Sequence, residues 1–314
     1  MIRRWIVKFI LNIFKWFFLG IYTIITIIPK YLITGIICIL NPKKGAVLKY
    51  KGKPIIPIIM LTLSLSVYFV CIFWASRWYV QKLRIDELSN DIMANTSILE
   101  DEEPEIISID DYTPVDNNKY NDVNFMTVNF DDLIKRNPET VGWLRVNNTR
   151  VDYSILKHDD NKHYLKYDID NNYNINGWIF GDYRDNFEHF GNNTIIYGHN
   201  LIDRSMFGSL IWCFKESWYT NQDNQFIKIS TPKSNTVWKI FSMYTVKPET
   251  YYLKMYFPNE DEHLKFLNTL KNRSIYDFKE DISNNDKILT LSTCTDDGTK
   301  RAVIHAKMVK AQYR

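Results

Sequence analysis

The feature that most constrains this chain is an uncharged run of 21 residues, "IIPIIMLTLSLSVYFVCIFWA", at 55–75. A helix needs about 20 such residues to cross a bilayer, and Pro57 is tolerated in a first turn. The segment before the run, "NPKKGAVLKYKGKP", carries Lys43, Lys44, Lys49, Lys51 and Lys53, and an acidic stretch follows it. The positive-inside rule then puts the lysine loop in the cytoplasm and everything after about residue 76 outside. The run starts too far from the N-terminus, and lacks the small-x-small site after it, to be a cleaved signal. The sequence thus predicts a membrane anchor at 55–76 carrying an extracellular domain.

Charge supports this division. The first 85 residues hold 13 of the 39 Lys and Arg and no Asp or Glu; the other 26 basic residues face all 36 acidic ones, a net of −10. The basic excess therefore marks membrane topology, and no nucleic-acid partner is expected. Residues 1–54 form an apolar and basic region. Within it, 16–40 is long enough to span, but Lys30 at its middle costs about 2.5–3.5 kcal/mol there. Basic residues also flank it on both sides, so an interfacial or re-entrant hairpin is expected, with a true first helix as the rival.

Residues 77–123 read as an extracellular tether. "QKLRIDELSNDI" continues a helix out of the membrane, and "LEDEEPEIISIDDYTPVDNNKYND" is acidic and weakly periodic. From 124 to 314 the pattern is globular. Asn129 is a fair N-cap, with Asp131 and Asp132 in the first turn of a short helix. Eight strands are predicted at 142–146, 151–156, 178–180, 194–197, 226–230, 237–246, 288–294 and 302–309. Helical runs are predicted at 205–218 and 260–271. Eight short strands with few helices point to a mainly β, closed or nearly closed barrel.

The chemistry converges on "KILTLSTCTDDGTKRAVIHAK". Side chains alternate along a strand, so Ile288, Thr290, Ser292 and Cys294 share one face and Leu289, Leu291 and Thr293 the other. The two leucines mark the second face as the core side. Cys294 ends its strand, and Arg301 opens the next one after the turn "TDDGT". A guanidinium beside a thiol favours thiolate and can donate to a developing oxyanion. Of the four cysteines, Cys38 and Cys71 lie in apolar segments, and Cys213 reads as a buried hydrophobe rather than a bridge partner for Cys294.

Six histidines are available as proton-transfer partners: His158, His163, His189, His199, His263 and His305. His199 stands out, following a strand in "IIYGHN", where Gly198 allows a sharp turn. His305 sits inside the last strand between Ile304 and Ala306, where it reads either as a satisfied structural histidine or as one facing the barrel exterior. Blander readings stand beside the catalytic one: Arg301 paired with Asp296 or Asp297, and His199 as a turn residue bonded to backbone. No metal-ligand spacing is present, neither Cys-x-x-Cys, His-x-His nor His-Glu-x-x-His.

"TLSTC" followed by a strand-opening arginine resembles the signature of sortases, the cysteine transpeptidases of Gram-positive surfaces. "YGHN" with "MFGSL", and "NPETVGWLRV" near the domain start, resemble class B in particular. So does the helix-bearing insertion between "FSMYTV" and "KILTLSTC". The resemblance covers roughly 125–312. One departure is that class B members often carry Asp directly after the cysteine, where this chain has Thr295 and then Asp296.

The resemblance implies an eight-stranded sortase-type barrel in which Cys294, His199 and Arg301 are catalytic. It implies attack at a Thr–Gly or Thr–Asn bond of a C-terminal sorting signal on a secreted protein. A thioacyl enzyme would pass to an amine of a cell-wall precursor or a pilin. Thr290 and Ser292 are expected to line the substrate groove, and the helix at 260–273 to form one wall. No cofactor and no metal are implied. The partners would be the secreted substrates, the amine acceptor and membrane lipid. The alternatives are a hydrolytic cysteine peptidase on the same site and a non-catalytic surface or pilus-assembly scaffold.

Overall fold

The structure is a computed structural model that describes residues 56–100 and 117–314, with side chains from Ser64 and from Lys119 onward in those stretches. Residues 1–55, with the expected hairpin, and the acidic segment 101–116 lie outside the described residues. Two units divide the chain, Met1–Arg77 and Trp78–Arg314. Helix α1, Ile56–Asn95, is 40 residues long. Among the described residues no helix is long and apolar enough to cross a membrane. The 21-residue apolar run, however, begins ahead of the described side chains. Between 67 and 74 its large apolar side chains are exposed.

In the second unit α1 is not a solvated spacer. Ile85, Leu88 and Ile92 are buried in the main core; their spacing puts them on one helical face. Arg84 pairs with the fully buried carboxylate of Asp168 at 2.7 Å. The stretch expected as tether from 77 to 123 is therefore docked on the domain as far as Asn95. Strands β1 (Ile98–Leu99) and β2 (Thr127–Val128) then form a small antiparallel pair. The N-cap of helix α2 (Asp131–Arg136) is Phe130, not the expected Asn129; Asn129 lies one residue further out, where its side chain accepts the Asp131 amide at 2.9 Å.

The remaining strands are β3 (Thr140–Val146), β4 (Asp152–Leu156), β5 (Phe180–Gly181), β6 (Asn193–Tyr197), β7 (Phe226–Ser230), β8 (Ser234–Val246), β9 (Ile288–Cys294) and β10 (Arg301–Tyr313). They close an eight-stranded barrel in the order β10-β8-β7-β3-β4-β5-β6-β9. All eight expected strands are present. Closure leaves no open sheet edge. Pairing is antiparallel except for β4 with β5 and β6 with β9.

The run at 205–218 departs from expectation. It is a loop, a 3-10 turn at Gly208–Phe214 and a single helical turn, α3 (Glu216–Tyr219). Met206, Phe207, Leu210 and Cys213 are all fully buried. Arg204 and Met206 hold left-handed φ values of 71° and 50°, which interrupt a right-handed helix at the start of this run. Helix α4 (Glu260–Asn272) forms where expected, with the Asn259 side chain capping the Glu262 amide. Phe266, Leu267 and Leu270 of α4 build a second core with Phe241, Tyr244, Ile288 and Val303 of the barrel. Burial of such a side chain contributes about 1.5–3 kcal/mol.

Candidate active site

Strand register brings the site together. Parallel pairing sets Tyr197 of β6 beside Ser292 of β9. Two residues further on lie His199 and Cys294, so both leave the sheet at the same rim. Antiparallel pairing then sets Arg301 of β10 directly opposite Cys294. Between them Gly298 takes a left-handed φ of 69°, which suits glycine and closes the hairpin turn.

The Arg301 Nη1 donates to the Cys294 Sγ at 3.1 Å. A guanidinium in that position stabilises negative charge on or next to the sulfur. Both blander partners for Arg301 are occupied elsewhere. Asp296 accepts from Arg204 at 2.7 and 3.0 Å and from Asn200 at 2.8 Å, bonds that hold its carboxyl below the usual carboxylate range. Asp297 accepts from Thr295 and Thr299 within the turn. Cys294 and Cys213 are both free thiols, and burial pushes the Cys213 thiol up well above its ordinary range.

His199 is reached through a tight approach. A Cβ on Gly198 would lie 2.4 Å from Ile179 Cδ1 and 2.8 Å from Phe207 Cγ, so only glycine lets the chain pass here. The His199 Nε2 sits 2.9 Å from the Leu165 carbonyl. A carbonyl only accepts, so Nε2 carries the hydrogen and Nδ1 is left for proton exchange. His199, Cys294 and Arg301 all line one cavity of about 660 Å³, with Leu165, Phe180, Tyr197 and Leu253 as its apolar walls. A thiol, an imidazole and a guanidinium on one partly apolar cleft can together carry out acyl transfer.

The two expected groove residues part company. Ser292 lines the cavity, and its hydroxyl meets the Tyr252 hydroxyl at 3.0 Å. Thr290 does not reach it: it is fully buried, donating to Asn193 Oδ1 at 2.6 Å and meeting His305 Nδ1 at 2.9 Å. The second core covers the face that alternation would leave open. Likewise α4 is not a wall of the cleft. That wall is the segment before it, including Glu249, Thr250 and Tyr252. Asn161, Leu165 and Tyr197 also face the cavity, and no local sequence signal marks them, because they arrive from distant loops and strands.

His305 is structural. With Thr290 donating to Asn193, His305 Nδ1–H must donate to Thr290, and Nε2 accepts from Tyr244 at 3.0 Å. Burial, with Arg273 nearby, pushes its pKa down to about 3.

The sortase domain model matches residues 144–309, which contain every residue of this cleft. The chain belongs to the sortase family. It is 32% identical to sortase B of Staphylococcus aureus over 184 residues, covering 58% of this chain and 75% of that one. With sortase B of Listeria monocytogenes it shares 35% identity over 181 residues, covering 57% and 73%. The solved S. aureus sortase B–substrate complex superposes with a TM-score of 0.54 at 31% identity, covering 58% of this chain and 84% of the other. The protein is thus a sortase-type cysteine transpeptidase of class B character, and the class B resemblance of its motifs holds at the level of fold.

Proposed function

We propose that this sortase is anchored in the cell membrane by the apolar run at 55–76 and works outside the cell on secreted proteins bearing a C-terminal sorting signal. The Cys294 thiol passes its proton to His199 Nδ1 as its sulfur attacks the carbonyl carbon of a Thr–Gly or Thr–Asn bond. Arg301 stabilises the oxyanion. The carbon–nitrogen bond breaks as His199 gives a proton to the leaving amine, and a thioacyl enzyme remains. A second amine, from a cell-wall precursor or a pilin lysine, loses its proton to His199 and attacks the thioester, and the Cys294 thiolate leaves. The observation that carries this reading is the N–H···S contact of 3.1 Å at a rim where the β6 and β9 ends meet. The substrate complex of the S. aureus relative makes a sorting-signal substrate the natural class to test.

The anchor reading rests on the uncharged run, its basic flank and the exposed apolar side chains between 67 and 74. The decisive experiment incubates the full chain in lipid nanodiscs with sorting peptides and an amine, and follows products and the Cys294 adduct by mass spectrometry. Ligated product is expected. Free acid alone would replace transfer by hydrolysis, and the absence of any adduct at Cys294 would make the cleft non-catalytic.

A further inference from the structure

The described domain exposes a group of large apolar side chains that no part of the transfer chemistry uses. Trp78, Tyr79 and Leu83 are exposed on α1. Two loops meet the helix at the same level. The Asn174 amide donates to the Gln81 carbonyl at 3.0 Å, and Lys82 pairs with Asp203 at 3.3 Å. Beside those two contacts Tyr173 and Ile175 are each 50% exposed and Ile202 is 85% exposed. Isolated exposed apolar residues are ordinary, but a contiguous rim of them marks an interaction surface.

This rim is built, not frayed. Ile202 projects from a turn closed by Arg204 N–H on the Leu201 carbonyl at 2.9 Å and by pairing of Asn200 with Met206. Arg204 and Met206 hold left-handed φ values of 71° and 50° there. The turn is pinned on one side by Lys82 and on the other by Asp296 through Arg204. Each carboxylate at this end has a cationic partner, but the acids outnumber the cations: Asp86 and Asp203 share Lys82, and Asp168 and Asp170 share Arg84, with Arg136 also on Asp170. The attraction of this rim to a bilayer is therefore apolar rather than electrostatic.

Chain length supplies the partner. Gln81 follows Ala75, the last residue of the apolar run, by six residues, roughly 9 Å at about 1.5 Å per helical residue. The headgroup layer on each side of a bilayer is about 5–7 Å deep, and Trp and Tyr concentrate in it. Side chains of this size reach across the difference. We infer that the apolar rim of Trp78, Tyr79, Tyr173, Ile175 and Ile202 seats the domain on the outer surface of the bilayer. Because Ile202 belongs to the turn that follows His199, the catalytic cleft then opens at the headgroup layer. This inference rests on the anchor reading above.

The test uses the full chain in nanodiscs of phosphatidylglycerol and phosphatidylethanolamine. Photoreactive benzoylphenylalanine replaces Ile202 or Ile175 in separate variants. Phe69, inside the apolar run, reports on the anchor, and exposed Lys233 is the distant control. Lys233 lies in the β7–β8 turn, near the Thr127 and Asn235 contact that adjoins the far end of α1. Lipid adducts, found by mass spectrometry after illumination, are expected at 202 and 175 at least tenfold above those at 233. An adduct at 69 with only control levels at 202 and 175 overturns the seated rim and leaves the anchor standing. No adduct at 69 removes the anchor and the rim together. Cross-links from 202 and 175 to a second copy of the chain, in place of lipid, also overturn the inference.

Discussion

Two buried groups give the stability of this domain an unusual dependence on pH. His305 titrates at about 3 in the folded chain against an ordinary 6.5, because burial disfavours its charged form. Asp185 is pushed up to about 8 from 3.8, chiefly by burial and then by Asp182, against the one bond it accepts from the Ile195 amide. Between about pH 4 and 6.5 the unfolded chain binds one more proton at residue 305, so that group makes stability rise with pH. Over the same window the folded chain binds one more proton at residue 185, so that group makes stability fall with pH. Each contributes about 1.4 kcal/mol per pH unit, and the two offset each other. Above pH 6.5 only Asp185 still acts, and stability should decline toward pH 8. Asp185→Asn, which mimics the protonated acid, removes one side of the balance. Its stability should rise by about 3 kcal/mol from pH 4 to 6.5 and then level off. His305→Gln should show the reverse, a fall that is clearest between pH 6.5 and 8, from a lower starting stability because Thr290 and Tyr244 lose a partner. His263, also held low by burial, adds a rise of the same sign to all three proteins. Urea unfolding at half-unit pH steps measures the slopes. Parallel pH profiles for the unmodified chain and Asp185→Asn would refute the reasoning.

Three further outcomes follow from the site. Arg301→Lys keeps the charge but loses the planar fork; kcat for peptide transfer should fall about 100- to 1000-fold, and a loss under threefold would remove Arg301 from the oxyanion role. Gly198→Ala places a Cβ against Ile179 and Phe207, so thermal or urea unfolding should show a loss of about 1–3 kcal/mol, whereas unchanged stability would mean those side chains yield freely. Asp296→Asn breaks the tie between the turn after His199 and the turn after Cys294. Being largely exposed, it should change stability by less than about 1 kcal/mol, yet lower kcat by about tenfold through misplacement of the imidazole. Partial recovery in Asp296→Arg with Arg204→Asp would separate this positioning effect from a local packing change.

The parts of the molecule legible in its sequence are those fixed by short-range geometry. Residues on either side of a tight turn must face each other, so "CTDDGTKR" was enough to pair Cys294 with Arg301. His199 joins them only through the parallel pairing of β6 with β9, a contact nearly a hundred residues apart that local periodicity cannot carry. Alternation correctly sorted Thr290 from Leu289 and Leu291, but it assumes that one strand face is free. β9 has a core on each side, so a hydroxyl that reads as groove-facing becomes a buried link between Asn193 and His305. The stalk misled in the opposite sense: acidic composition hid Ile85, Leu88 and Ile92, whose spacing already describes a helix with one buried face. The same double burial has a functional side. Behind the cleft, β6, β9, β10 and β8 are joined by one line of buried hydrogen bonds from Asn193 through Thr290 and His305 to Tyr244. Asn193 also holds the carbonyls of Tyr252 and Lys254, beside the wall of the cavity. A nucleophile at the end of a strand held in this way has little freedom to drift from its arginine, which is what a cleft handling two successive acyl transfers on one sulfur requires.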